Sequence, residues 1–164
     1  MLFKTASVAL LSGAVLLVAA APPPTSPAAA ASALLRPRDA CAADPSAGYC
    51  TTLTYNDRTK SDSPSGDACQ NTCRSVLSDA GDWIVDFHGK SAGYHDTMVA
   101  STCSFAVSRV SDSDTSQIKF NMHNQDIIDV VGQAVSRFAG KHGGKVSADG
   151  TMNCSGNVVK WYVF

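Results

Sequence analysis

The stretch HNQDIIDVVGQAVSRFAGKHGGKVSADGTMNCSGNVVKWYVF, residues 123–164, changes its hydrophobic period halfway along. Asn124 predicts an N-cap, and Asp126 and Asp129 lie near the positive end of the helix that follows. Ile127, Val131, Ala134, Val135 and Phe138 form one apolar stripe at helical spacing. Gly140 predicts the end of that helix, with Arg137 and Lys141 near its negative pole. Beyond it the period drops to two. Lys145–Ala148 and Thr151–Cys154 read as strands on either side of Asp149-Gly150, a hairpin dipeptide. Ser155-Gly156-Asn157 then turns the chain into Val158–Phe164, which is apolar on both faces as a central strand is.

Upstream, Thr51–Asn56 alternates and predicts a strand, and Ser61–Gly66 is turn material. A first helix is expected from Asp67, capped by that carboxylate. Cys69, Cys73, Val76, Leu77 and Ala80 recur at its spacing, and Gly81 predicts its stop. Trp83–Phe87 reads as a strand and His88–His95 as a loop. Thr97–Val107 reads as one long strand, with Val99, Cys103, Phe105 and Val107 on a single face. Ser111–Ser116 is a polar turn before a short strand at Gln117–Asn121. The fold class is therefore α+β: two helices packed on one face of a mostly antiparallel sheet, a split βαβ-like sandwich stabilised by disulfides.

Lys4, an apolar run over residues 6–20 and a small-residue exit at Val18-Ala19-Ala20 predict a signal peptide over residues 1–20. The run is too short for a membrane anchor. Residues 21–40 are Ala/Pro/Ser-rich and read as a leader or propeptide. Within it, Leu35-Arg36-Pro37-Arg38 reads equally as a processing site or as two solvated arginines. A single domain is expected over 41–164. Its six cysteines, Cys41, Cys50, Cys69, Cys73, Cys103 and Cys154, are even in number and lack zinc-finger spacing, so they predict three disulfides in an exported chain. A bridge needs Cα atoms within about 7 Å. Cys50–Cys154 is expected to join the two ends of the domain, with Cys103 and Cys41 each bonded to the first helix. Which of Cys69 and Cys73 takes which partner stays open.

Composition narrows the chemistry. All 14 acidic residues are Asp, and the net charge of −1 includes no basic stripe, which speaks against nucleic acid as a partner. No second apolar segment is long enough for membrane insertion, and nothing calls for a cofactor or a metal. His88, His95, His123 and His142 are scattered, Asp86 and His88 are two residues apart, His95 and Asp96 are adjacent, and no G-x-S-x-G elbow is present. No catalytic residue is assigned, and the chain is read as a non-enzyme. Asn153-Cys154-Ser155 is a glycosylation sequon in which the disulfide cysteine makes a glycan on Asn153 awkward. Trp161, Tyr162 and Phe164 are read as core packing rather than as a ligand platform.

The 123–164 stretch closely resembles the C-terminal half of the fungal extracellular-protein-two necrosis-inducing factors, whose shared unit is the Hce domain. The carrying motifs are Asn124–Ile128, Gly144–Cys154 and Val159–Trp161. Upstream, Ser63-Pro64, Asp67–Cys69, Asp82–Val85 and Ser101–Val107 follow in the family's order, so the resemblance spans about residues 49–164. The chain departs from it at Ala68, which lengthens the family's D-C by one residue, at Ser101, Ala106 and His123, and in having six cysteines where four are common. The resemblance implies a secreted effector and virulence factor. It would work as a monomer in the host apoplast on a plant extracellular or membrane protein, in some members provoking cell death. It implies no catalytic residues. The alternative it raises is an antimicrobial channel blocker with a killer-toxin-like fold.

Overall fold

The computed structural model describes residues 39–44, 46–79 and 81–164. The expected signal peptide, all but the last two residues of the leader, and Ala80 lie outside them. The elements are β1 (Cys50–Thr52), β2 (Asn56–Asp57), α1 (Gly66–Ser78), β3 (Trp83–Asp86), β4 (His95–Val99), β5 (Phe105–Arg109), β6 (Lys119–Met122), α2 (Asn124–Phe138), a 3-10 turn (Ala139–Lys141), β7 (Ala148–Cys154) and β8 (Asn157–Val163). The main sheet has the order β1-β7-β8-β5-β4, with β2 also on β7. β3 and β6 form a separate ribbon, and every pairing is antiparallel. The α+β sandwich read from the sequence is the fold of the chain, and β8 is central as expected, although only its Val159, Trp161 and Val163 face is buried.

The inner face of the sheet carries Phe105, Val107, Ala148, Met152, Val159, Trp161 and Val163, all buried. Against it lie Cys69, Cys73 and Val76 of α1 and Ile127, Val131, Ala134 and Phe138 of α2. These helix positions keep the spacing of a buried stripe, whereas Leu77, expected with them, is exposed. The β7–β8 connection is a two-residue turn at Ser155-Gly156, with φ of 52° and 90°. That pair of left-handed residues is what a tight hairpin between right-twisted strands needs.

Several local expectations are corrected. The cap of α1 is Ser65, whose hydroxyl accepts from the Ala68 N–H at 3.2 Å, and not Asp67. The helix stops at Ser78, before Gly81. The cap of α2 is His123, and not Asn124: its Nδ1 accepts from the Gln125 N–H while the Asp126 carboxylate accepts from the His123 N–H at 2.7 Å. Asn124 is otherwise engaged, accepting from Trp83 Nε1 at 2.5 Å and donating to the Asp79 carbonyl at 2.7 Å. The 97–107 segment is two strands, β4 and β5, because Ser101 and Ser104 hydroxyls bond the backbone of residues 101–104 and offer it a turn in place of a ladder. Cys103 sits in that turn. Asp149-Gly150 is the interior of β7, and not a hairpin turn. Gly150 is required there because a Cβ would overlap the Thr54 carbonyl oxygen and the Trp161 ring. The same crossing at Thr54 interrupts the 51–56 strand, with Leu53 and Thr54 N–H groups both directed at the Thr151 carbonyl.

Three disulfides close the structure: Cys41–Cys73, Cys50–Cys154 and Cys69–Cys103. Thus α1 offers Cys69 to the β4–β5 turn and Cys73 to the N-terminal arm. Thr72 reinforces the first bond by donating to the Cys103 carbonyl at 2.7 Å. The arm begins before Cys41, since Ala40 is buried and its N–H donates to Gln70 Oε1 at 3.0 Å. It crosses α2 at Gly132, where any side chain would overlap the Cys41 carbonyl. Its far end is fixed by Asp126, only 4% exposed, which accepts from the N–H groups of Tyr49 at 3.1 Å and Cys50 at 2.9 Å.

Two stability predictions follow from these contacts. Asp126→Ala strands three backbone donors at once, and chemical denaturation is expected to show a loss of about 3 kcal/mol or more. A loss under about 1 kcal/mol would remove Asp126 from this role. The bonds close loops with sequence separations of 32, 104 and 34. Each contributes about 3–5 kcal/mol in the chain-entropy account, against a total stability of about 5–15 kcal/mol. Strong reductant is therefore expected to unfold the domain at room temperature, read by circular dichroism, and retention of the folded signal would contradict the account.

Candidate functional site

Strand alternation places Lys160 and Tyr162 of β8 on the outer face of the sheet, opposite Val159, Trp161 and Val163. The register then lines up a row across the strands: Thr97, Ala106, Tyr162, Asp149 and Asn56. A parallel row holds His95, Ser108, Lys160 and Thr151. Ala106 and Ser108 are buried although they point outward, because the larger Tyr162 and His95 cover them.

The side chains of this face are fixed by one another. The Ser108 hydroxyl donates to the Arg109 carbonyl at 2.9 Å, so at its 3.1 Å contact with Tyr162 it accepts, and the phenol is the donor. The His95 ring lies 4.8 Å from the Tyr162 ring at 34°, and Lys160 Nζ approaches the same ring at 5.8 Å. Beside Tyr162, Asp149 is almost buried. Its Oδ1 accepts from Asn56 Nδ2 and its Oδ2 from Arg58 Nε, both at 2.8 Å. Arg58, Asp149, Tyr162, His95 and Phe164 border a cleft of about 320 Å³. That is the lower end of the range for ligand sites, about 300–1,000 Å³.

A slightly larger crevice, about 370 Å³, runs between β1 and α2. Its carboxylates are already spent on backbone. Asp126 holds Tyr49 and Cys50, and Asp129 accepts from the Asp44 N–H at 2.9 Å. Its aromatic, Tyr55, is covered by the Arg137 guanidinium at 4.4 Å and abuts Trp161 at 5.0 Å. This crevice is a seam of the fold, and burial raises the Tyr55 phenol above its ordinary value. The outer-face cleft is the better candidate because the exposed Arg58, His95 and Phe164 border it.

The four histidines occupy separate positions. His88 bonds Asp86 at 2.7 Å, His142 bonds Asp57 at 2.7 Å, His123 caps α2 and His95 lies on Tyr162. His95 and Asp96, adjacent in sequence, point to opposite faces of β4. No cluster of three or more His, Cys, Asp or Glu able to hold a metal occurs among the described residues. The Asn153 side chain, on the same outer face, accepts from the Gly156 N–H at 2.8 Å and so helps form the β7–β8 turn. The aromatic trio is divided. Trp161 is core, as expected, but Tyr162 is outward and half-buried, and Phe164 is exposed. Reading β8 as apolar on both faces hid Tyr162, and reading Asp149-Gly150 as a turn hid Asp149. The alternation of Lys160 and Tyr162 with Val159, Trp161 and Val163 carried the signal for Tyr162.

Residues 49–154 match the Hce2 family model, described as "Pathogen effector; putative necrosis-inducing factor". A Penicillium expansum protein named "Probable chitinase LysM18" is 31% identical over 119 residues, which cover 70% of this chain. The chain spans about 8% of the length of that relative.

Two carboxylates are held below their ordinary value by hydrogen bonds. Asp57 is lowered from 3.8 to about 2, chiefly by the hydrogen bond from His142 and then by the Thr59 N–H. Asp86 is lowered from 3.8 to about 2, first by the His88 N–H and then by the His88 ring. Because both folded values are depressed, their stabilisation is present above about pH 4 and is lost as pH falls towards 2. Asp57→Asn with Asp86→Asn is expected to flatten the fall of the thermal midpoint between those pH values. An unchanged profile would contradict the assignment.

Proposed function

The chain belongs to the Hce2 family of pathogen effectors, and on that premise we propose that it is a secreted fungal effector. It acts without catalysis on an extracellular or cell-surface component of a host plant. The match over residues 49–154 carries this reading. Three disulfides support an oxidising, extracellular destination. The geometry supports binding over catalysis: each histidine has its own structural partner, and the outer-face cleft presents a fixed aromatic ring beside a hydrogen-bonded ion pair. A catalytic site would need an acid, base or nucleophile meeting over a common point. The partner sought is therefore a surface recognised by the β7–β8 outer face, with the protein acting as a monomer.

A second reading rests on the chitinase-named relative, which carries a stretch similar to this chain within a much longer protein. Chitin is a fungal wall polymer, and this favours an antimicrobial role against competing fungi.

Purified protein infiltrated into leaves of several plant genotypes is expected to provoke local necrosis in at least one. Arg58→Ala, which alters an exposed side chain, is expected to weaken that response while leaving the thermal midpoint within a few degrees. No response in any genotype, together with undiminished virulence of a deletion strain, would overturn the effector reading. Growth inhibition of competing fungi in the same preparations would favour the second.

A further inference from the structure

We propose that the outer-face cleft between Tyr162 and the Arg58–Asp149 pair binds a neutral pyranose chain. This rests on the effector reading only in using the same face of the sheet. The occupant follows from the chemistry of the lining. A pyranose ring presents a face of C–H bonds, which packs on an aromatic ring, and a rim of hydroxyls that each donate and accept. Tyr162 supplies the ring, and its orientation is set before any ligand arrives: the phenol donates to Ser108 and the His95 ring braces it at 4.8 Å. A side chain already locked loses little entropy on binding.

The rim is equally specific. Asp149 Oδ2 holds Arg58 only through Nε, at 2.8 Å, so the terminal amino groups of an exposed guanidinium point away from that bond. Each carboxylate oxygen retains accepting capacity after its single bond from Asn56 or Arg58. The register sets Asp149 beside Tyr162, and the exposed Arg58 guanidinium borders the same cleft. The Arg58–Asp149 pair carries no net charge, and Lys160, whose Nζ lies 5.8 Å from the Tyr162 ring, is the cation an anionic polymer would use, so the hexagalacturonate and salt arms of the test read its weight. Further along the same face, Thr151 and Asn153 of β7 and Thr51 of β1 extend the row of polar side chains beside Lys160 of β8. That extension suits a chain of sugar units better than one small molecule. A cleft of about 320 Å³ matches a short stretch of such a chain lying across the strands.

The test uses the folded, oxidised protein and nuclear magnetic resonance titration with cellohexaose, chitohexaose and hexagalacturonate, each to about 5 mM. At least one neutral hexasaccharide is expected to shift amide signals of β7 and β8, with an affinity that changes less than about twofold between 0.05 and 0.5 M salt, since no ion pair is made with the ligand. Tyr162→Ala is expected to weaken binding about tenfold or more, the loss of one stacking partner. Arg58→Ala, chosen because that side chain is exposed, is expected to weaken it about threefold or more without disturbing the fold. Three results would each overturn the proposal: no shift with either neutral sugar, binding confined to hexagalacturonate and abolished by salt, or undiminished binding by both variants. If Arg58→Ala weakens the leaf response while no hexasaccharide binds, the effector reading stands and the saccharide is excluded. If a neutral sugar binds in the predicted manner but no leaf responds and the deletion strain keeps its virulence, the saccharide site stands and the effector reading falls.

Discussion

One carboxylate, Asp126, joins three parts of this molecule that would otherwise be separate. It closes the capping box of α2 through the His123 N–H, and it takes the N–H groups of Tyr49 and Cys50 as the arm enters β1. A buried carboxylate is costly unless hydrogen bonds replace its water. Here all the bonds come from backbone at a helix N-terminus, where negative charge is favoured. The start of α2, the start of β1 and the position of Cys50 against Cys154 are thereby set together.

Arg109 is the counterpart at the other side of the sheet. It is 3% exposed, and no described carboxylate bonds it. Its Nε donates to the Ser116 carbonyl at 2.8 Å, Nη1 to Ser91 at 3.0 Å, and Nη2 to Phe87 at 2.8 Å and Lys90 at 3.1 Å, while the guanidinium lies 4.9 Å over the Phe87 ring. These carbonyls belong to irregular loops that no ladder satisfies. The two buried ions thus do the same work with opposite sign. Each solvates backbone groups of a segment without secondary structure, the anion taking N–H groups and the cation taking C=O groups. A domain with short strands and long connections needs such points, because unpaired backbone polar groups cannot be buried.

This division explains what could be read from the sequence. The α2 stripe and the placement of β8 at the centre of the sheet were legible, because hydrophobic period reports burial directly. So was the need for both cysteines of α1 to reach other elements, since one helical turn places them on one face. The caps were not. Ser65 and His123 each sit one or two residues before the residue that propensity favoured, and the choice turned on Asn124 being drawn to Trp83 and Asp79 across the fold. The 97–107 segment alternates like one strand, yet its hydroxyls and the Cys69–Cys103 bond make a turn of residues 100–104. Gly150 was misread for a related reason. Glycine serves both turns and close approaches, and only the crossing of Thr54 and the Trp161 ring tells which applies. The candidate site fell into the same gap, because Asn56, Arg58 and Asp149 meet through pairing between β2 and β7, far apart in sequence.

The consequence for function is a matter of which surface remains available. The helices spend their inward faces on the core and much of their N-terminal chemistry on the arm. The crevice beside α2 is occupied by the bonds that hold that arm. The β4–β5 turn is tied to α1 by Cys69–Cys103 and Thr72. What is left, with ordered polar groups and a positioned aromatic ring, is the outer face of β7, β8 and β5, where Asp149 also holds Asn56 and Arg58. Cross-links tie the arm to α1, β1 to β7 and the β4–β5 turn to α1, and a preorganised face can bind through modest contacts because little order is lost on association. Under the proposed reading, sequence change on the outer face would alter recognition without touching the core, which is the arrangement expected where the scaffold must persist while the partner changes.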